Sequence, residues 1–137
     1  MTAFSGIDIA RTGVGFSKYW LDTIAHNLAN VNTVRPAGEE PFRARLVVAQ
    51  AQTGTHFAPT GSGVGVSGVV EDGAEAPRVA DPDHPLADEQ GYVTQPVVDL
   101  AGQMTDLVIA QRTYQANLRA IESSKEAYQS ALRIGQR

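Results

Sequence analysis

Residues 100–132 read LAGQMTDLVIAQRTYQANLRAIESSKEAYQSAL, and the apolar pattern of this stretch sets the architecture of the chain. Large apolar side chains recur at alternating spacings of four and three residues, with Gln111 and Lys125 filling the two gaps in the series. The apolar members are Leu100, Met104, Leu107, Tyr114, Leu118, Ile121, Tyr128 and Leu132. A mean spacing of about 3.5 residues is typical of coiled-coil helices, because it keeps one stripe turned toward a partner helix. The stretch therefore predicts a long helix, from Val98 to Ile134, that packs against a partner of comparable length.

The N-terminal part of the chain carries a second stripe of the same kind. Its members alternate at spacings of three and four residues: Ile7, Ala10, Val14, Ser17, Leu21, Ile24, Leu28 and Val31. The helix is expected to end between Asn30 and Thr33, because asparagine tolerates the left-handed conformation and Pro36 cannot continue a helix. Polar residues within the two stripes either fix the register and choice of partner or simply face solvent; they are Ser17, Gln111 and Lys125. We expect the two terminal helices to form a coiled-coil-like pair.

The middle of the chain differs in character. Residues 34–96 contain all seven prolines and most of the glycines. Alternation of apolar and polar residues predicts a half-buried strand over Phe42–Val48 and a second over Val64–Val70, separated by a Thr53–Gly63 loop. Two shorter strands are expected around Val79 and Tyr92–Val93. The chain is thus predicted to be mainly α-helical with a small β-hairpin-type insertion, divided into an N-terminal helix (1–33), a β-rich middle (34–96) and a C-terminal helix (97–137).

The composition is ordinary for a soluble domain of 137 residues, with 42% hydrophobic and 19% charged residues. A formal net charge of −4 argues against a nucleic-acid-binding surface, which usually carries excess lysine and arginine. The absence of cysteine excludes disulfides and thiolate metal sites. Charged residues interrupt the N-terminal apolar pattern, so we expect neither a cleaved signal peptide nor a membrane-spanning helix; they are Asp8, Arg11, Lys18 and Asp22.

Two small motifs invite a functional interpretation. Gly61, Gly63 and Gly65 resemble a phosphate-binding loop only superficially, because such a loop needs a preceding strand and a following helix. Valines lie between and after these glycines, so a turn or a strand edge is expected instead. His26 has no serine or cysteine nucleophile context, and we expect it to pack or hydrogen-bond rather than to act as a general base.

An acidic segment of the middle region has the ligand types of a metal site. Its candidate ligands are Asp81, Asp83, His84 and Asp88. Their spacing fits no calcium-loop pattern, and Pro82 and Pro85 favour a rigid turn. An enzyme built on His84 would need a preformed pocket, which so thin a middle region hardly offers. We therefore expect no catalytic, cofactor-binding or metal-binding site.

Residues 24–33, IAHNLANVNT, resemble the N-terminal signature of the axial proteins of the bacterial flagellum, which form its rod, hook and hook–filament junction. His26 stands where that signature has asparagine. The segments DPDHP (81–85), Ala87-Asp88 and Gly91-Tyr92-Val93 resemble the proximal rod members of this family. Residues 114–117 match the family's C-terminal helix motif in tyrosine, alanine and asparagine, and residues 131–135 resemble the usual ending of those proximal rod members.

The resemblance implies a structural subunit, not an enzyme, that is exported through the flagellar type III apparatus without a cleaved signal and assembles in the periplasmic rod. Such a subunit transmits torque, and its terminal helices surround a central export channel. Implied partners are further copies of the chain, the rod proteins FlgB, FlgF and FlgG, and the adaptor FliE that joins the rod to the MS ring. Assembly contacts are expected at Ile24, Asn27, Leu28, Ala29, Asn30, Asn32, Thr33, Leu107, Tyr114, Asn117, Leu118, Ile121 and Leu132. A coiled-coil adaptor or export chaperone is the alternative, although it would need neither the residues 24–33 signature nor the DPDHP segment.

Overall fold

The computed structural model describes residues 5–36, 38–53 and 62–135. Two long helices enclose four strands in chain order: α1 (Ser5–Ala29), β1 (Arg45–Gln52), β2 (Gly63–Glu71), β3 (Arg78–Ala80), β4 (Tyr92–Thr94) and α2 (Leu100–Gly135). This order confirms the prediction of a mainly helical chain with a small β-rich insertion. Within the described residues, neither helix combines the length and the apolar character that a membrane span requires.

The strands form two separate antiparallel pairs, β1 with β2 and β3 with β4. In the second pair Arg78 lies opposite Thr94 and Ala80 opposite Tyr92. The first strand was predicted from Phe42, but β1 begins only at Arg45. The residues before it bond elsewhere: the Val97 N–H donates to the Phe42 carbonyl (2.8 Å), and the Ala44 N–H donates to the Val97 carbonyl (3.0 Å). Most of the predicted Thr53–Gly63 loop lies outside the described residues.

An asparagine side chain caps the C-terminal end of α1, and an aspartate side chain caps the N-terminal end of α2. At the end of α1, the Asn30 side-chain amide donates to the His26 carbonyl (2.8 Å) and so satisfies one of the last open carbonyls. At the start of α2, the Asp99 carboxylate accepts from the Ala101 N–H (3.1 Å), as an N-cap residue does. These caps place the helix ends within about two residues of the predicted positions.

The chain folds into two compact units, and each of them draws on both helices. Unit 1 comprises Met1–Leu21, Val47–Gly68 and Val108–Arg137. Unit 2 comprises Asp22–Leu46 and Val69–Leu107. Among the described residues, the buried side chains of unit 2 are Ile24, Asn27, Ala44, Val93, Thr94, Val97 and Gln103, and those of unit 1 are the small residues Ala10, Ser17 and Ala110.

Small residues let the helices approach closely within unit 1. A Cβ atom added to Gly13 would lie only 2.6 Å from Asn117 Oδ1, so Gly13 leaves the space that the Asn117 side chain occupies. One turn further, Ser17 is fully buried and its hydroxyl donates to the Gly13 carbonyl (2.8 Å). The distance between packed helices depends on the side chains at the contact, and glycine and serine permit a short one.

Thr12 links α1 to the first strand pair in the same unit. Its hydroxyl donates to the Ile9 carbonyl (2.7 Å) and accepts from the Val64 N–H (3.0 Å). Gly63 has a φ of +114°, a conformation that favours glycine, and a Cβ atom there would collide with the Thr12 hydroxyl. Gly63 and Gly65 lie within β2, and Gly61 lies outside the described residues.

Candidate assembly surfaces

Most of the large apolar side chains in the predicted α2 stripe are exposed. Leu118 is 38% and Leu132 49% exposed, and Leu100, Met104 and Tyr128 are similarly uncovered. Leu107, Tyr114 and Ile121 are half-buried, while the gap residues Gln111 and Lys125 are exposed. Within the subunit this stripe is therefore not the buried face of α2. The buried α2 side chains are Gln103 and Ala110, seven residues apart.

The stripe of α1 is covered more completely than that of α2. Ala10, Ser17 and Ile24 of its stripe are buried, and the other members are half-buried. The two helices differ because small and polar residues, rather than large apolar ones, line the contact side of α2. In unit 2 the Gln103 side chain accepts a hydrogen bond from Asn27, and in unit 1 the Asn117 side chain packs directly against Gly13. The large apolar residues of α2 are thus left available to other molecules.

Two further large apolar side chains on α2 are exposed outside this stripe. Val108 and Ile109 are each 47% exposed. On α1, the rings of Phe16 and Trp20 contact one another with centroids 6.1 Å apart, and both residues are half-buried. The exposed apolar side chains of α2, such as Leu118 and Leu132, are candidates for contacts with other proteins.

Asn27 lies at the centre of a buried hydrogen-bond network in unit 2. Its side-chain NH₂ donates to the Arg45 carbonyl (2.8 Å) and to Gln103 Oε1 (2.9 Å). Its Oδ1 accepts from the Arg45 N–H (2.8 Å). The network joins the end of α1, the start of β1 and the first turn of α2, and Asn27 is 0% exposed. We call Asn27, Arg45 and Gln103 the Asn27 network.

The other N-terminal candidates surround this network. Ile24 is buried, Leu28, Asn30 and Thr33 are half-buried, and Ala29 and Asn32 are exposed. The Thr33 hydroxyl donates to Asn30 Oδ1 (3.2 Å), so Asn30 bonds both to its own helix and to the following turn. The His26 and Phe42 rings pack with centroids 5.5 Å apart. The side-chain amides of Asn27 and Asn30 thus bond within the chain, and two of the candidate residues, Ala29 and Asn32, are exposed.

A cleft of about 200 Å³ opens beside the end of α1 in unit 2. Its accessible surface is mainly polar, although four of the six lining residues are apolar and half-buried; the six are Val31, Val34, Pro96, Val98, Asn32 and Gln95. We call it the Val31 cleft. Only Asn32 among these residues was predicted to make assembly contacts. The cleft joins two segments more than sixty residues apart in the sequence, and no local sequence pattern relates them.

The acidic segment holds the β3–β4 pair together. Asp88 Oδ2 forms an ion pair with the Arg78 guanidinium (2.7 Å), and Oδ1 accepts from the N–H groups of Tyr92 (2.8 Å) and Gln90 (3.0 Å). The pKa of Asp88 lies below its ordinary value of 3.8. The hydrogen bond from the Tyr92 N–H is the largest cause, and the hydrogen bond from the Gln90 N–H and the charge of Arg78 add to it. The Arg78 guanidinium also lies 5.2 Å from the centre of the Tyr92 ring.

The other members of the segment form no metal-type cluster in the part of the chain that the structure describes. His84 Nδ1 accepts from the Leu86 N–H (3.1 Å), and the His84 N–H donates to the Asp81 carbonyl (3.2 Å). Hydrogen bonds of this kind are typical of tight turns. They account for the DPDHP sequence as a turn between β3 and β4.

Comparison with known proteins defines the class first. Residues 89–134 match the family model described as the C-terminal region of flagellar basal body rod FlgEFG proteins. This match covers β4 and nearly all of α2, so this part of the chain is similar to flagellar rod proteins.

Full-length relatives then define the family. The chain is 37% identical to the flagellar basal-body rod protein FlgC of Salmonella typhimurium over 136 residues, which covers 99% of this chain and 100% of that protein. It is 34% identical to FlgC of Bacillus subtilis over 150 residues (98% and 99% covered) and 34% identical to FlgC of Borreliella burgdorferi over 149 residues (98% and 98% covered). The chain belongs to the FlgC family of flagellar basal-body rod proteins.

Proposed function

We propose that the chain is a structural subunit of the flagellar rod that assembles through its terminal helices, transmits torque and surrounds the export channel. The exposed apolar face of α2, in a chain of this family, is the observation that carries the proposal. Burial of apolar surface stabilises by about 25 cal/mol per Å². An isolated subunit leaves this face in water, and neighbouring helices in a rod would cover it.

The contact residues divide into two groups by burial. Leu118 and Leu132 are exposed and would contact neighbouring subunits directly, with the half-buried Leu107, Tyr114 and Ile121 beside them. On α1 and the turn after it, Leu28, Ala29, Asn30, Asn32 and Thr33 remain at least partly accessible. Ile24, Asn27 and Asn117 would act indirectly, by fixing the conformation that presents the exposed face.

Family membership supports the remaining parts of the proposal. The terminal segments 1–33 and 97–137 would form the inner, helical part of the rod, and the β-rich residues 34–96 would lie outside it. The chain would reach the periplasm through the flagellar export apparatus without a cleaved signal. Its neighbours there would be FlgB, FlgF, FlgG and FliE. An adaptor or chaperone would share the helices, but similarity to rod proteins over the whole chain does not favour that alternative.

Mass spectrometry of detergent-washed basal bodies tests the rod function. We expect the chain to be retained there at full length, with its N-terminal peptide intact. A strain that expresses the chain but lacks another rod component provides the control, since its basal bodies are incomplete. Absence of the chain from complete basal bodies, with the protein left in the cytoplasm, would reject the rod function and support an adaptor or chaperone.

A further inference from the structure

The contact between α1 and α2 in unit 1 contains a position that has no room for a side chain. Gly13 is buried, and a Cβ atom added there would lie 2.6 Å from Oδ1, 2.7 Å from Cγ and 2.8 Å from Nδ2 of Asn117. Non-bonded carbon atoms pack at about 3.5–4.0 Å, so these separations are too short. Gly15 is exposed, and a Cβ atom there would meet nothing within 4 Å. The need for glycine is therefore specific to position 13.

Hydrogen bonds hold both sides of this contact in place. The Asn117 Nδ2 donates to the Thr113 carbonyl (2.9 Å), which keeps the side-chain amide directed along its own helix. On α1, the buried Ser17 hydroxyl donates to the Gly13 carbonyl (2.8 Å). A methyl group at position 13 would displace the Asn117 amide and break its bond to Thr113.

The next helix contact follows in the same antiparallel register. Seven residues before Gly13 and seven after Asn117, a Cβ atom on Gly6 would lie 3.9 Å from Ser124 Oγ, which is an ordinary van der Waals distance. A slip of α2 by one heptad would place either Ala110 or Ser124 opposite Gly13, and each has a smaller side chain than asparagine. A polar side chain at a single position of a helix contact is an established way to specify register.

We propose that Gly13 and Asn117 fix the register of α1 against α2 in unit 1, and that Gly13 is thereby a positioning residue for the exposed α2 stripe. Leu118, a member of that stripe, directly follows Asn117 and is 38% exposed. A shift of α2 at Asn117 therefore moves Leu118 as well. This inference rests on the proposed function, in which neighbouring subunits cover the stripe. Gly13 is buried, so it acts through Asn117 and makes no contact with another subunit.

Denaturation of the purified full-length variants tests the contact between the two residues. Alanine is favoured over glycine in a helix interior by roughly fivefold in the folding equilibrium, so Gly15→Ala should raise the denaturation midpoint. Gly13→Ala should lower it. Asn117→Ala removes all three atoms that the new methyl group would meet, so it should raise the midpoint in the Gly13→Ala chain but not in the wild-type chain. Equal midpoints for Gly13→Ala and Gly15→Ala would overturn the proposal.

Disulfide formation reports the register separately from stability, because the chain has no native cysteine. On mild oxidation, a chain with Gly6→Cys and Ser124→Cys should form an intramolecular disulfide several-fold faster than one with Gly6→Cys and Ala131→Cys, which lies one heptad further along α2. Adding Gly13→Ala should slow the first reaction several-fold, and adding Asn117→Ala as well should restore it. Circular dichroism checks that the helices are retained. Equal rates for the two cysteine pairs would show that the register is not fixed.

Swimming assays test the consequence for assembly. A strain with Gly15→Ala should swim normally, one with Gly13→Ala poorly, and one with both Gly13→Ala and Asn117→Ala should recover. Normal swimming with Gly13→Ala alone, or no recovery in the double variant, would reject the positioning role. If the chain is present in basal bodies but the two positions are not coupled, this inference alone fails. If they are coupled but the chain is absent from basal bodies, the register contact stands, and the rod function and the positioning role are rejected together.

Discussion

The Asn27 side chain is the residue on which the geometry of unit 2 depends most directly. Asn27→Ala would leave the part-buried Arg45 N–H without its acceptor and the buried Gln103 Oε1 without its donor. An unpaired buried polar group costs about 1–3 kcal/mol, so we expect a loss of roughly 2–3 kcal/mol in the free energy of unfolding. Chemical denaturation followed by circular dichroism measures this loss.

Asn32→Ala is the matched control, because Asn32 is an exposed asparagine of the same segment. A surface substitution of this kind usually changes stability by less than about 0.5 kcal/mol. Equal denaturation midpoints for the two variants would show that the Asn27 network contributes nothing to folding.

The sequence could identify Asn27 but not its partners. Resemblance to the axial proteins marked it as an assembly residue, yet the structure places it inside the subunit. Its partners, Arg45 and Gln103, lie 18 and 76 residues away along the chain. No local pattern relates positions so far apart. A short polar side chain at a helix end also has the same appearance in a sequence whether it bonds to its own chain or to another.

At the scale of elements, Asp88 determines how the β3–β4 pair responds to acid. Its pKa in the folded chain lies below 3.8, chiefly because the Tyr92 N–H donates to the carboxylate. Because the pKa is lower in the folded chain, the ionised carboxylate stabilises the fold at pH values above its ordinary pKa. This contribution is lost as the pH falls through the folded pKa. The Tyr92 amide resonance should therefore titrate with a midpoint below 3.8 in an NMR experiment.

Asp88→Asn serves as the control for this titration, because it removes the ionisable group and keeps the shape of the side chain. The Tyr92 amide should then lose the transition assigned to Asp88. A wild-type midpoint at or above 3.8 would contradict the proposed role of the Tyr92 N–H.

The elements themselves were largely predictable, because their signals are local. Alternating three- and four-residue spacings indicated both helices, and prolines and glycines located the β-rich middle. The contact side of α2 was not predictable in the same way. Large apolar residues produce the stronger periodic signal, whereas the contact with α1 uses Gln103, Ala110 and Asn117, which repeat every seven residues but are small or polar. If assembly completes the core of this chain, as we propose, the strongest apolar stripe belongs to the assembly rather than to the isolated subunit.

For the whole molecule, the covered apolar stripe of α1 and the largely exposed stripe of α2 predict opposite consequences for the same substitution on the two helices. Leu118 is 38% exposed, so Leu118→Asp should leave the melting temperature nearly unchanged while placing a charge on the α2 face. If neighbouring subunits cover that face, the buried charge opposes assembly, and motility should be lost. Ile24 is 2% exposed, and Ile24→Asp should unfold the chain by removing at least about 3 kcal/mol of stability.

Thermal unfolding of the purified chains, combined with swimming assays of strains that express them, separates the two effects. Gln115→Asp introduces the same charge at an exposed polar position of α2 and should preserve both stability and swimming. A strain with Leu118→Asp that swims normally would show that the α2 face meets no partner. A large drop in the melting temperature of that variant would instead show that Leu118 supports the fold of the isolated subunit. Loss of swimming with an unchanged melting temperature is the result that assigns the α2 face to assembly.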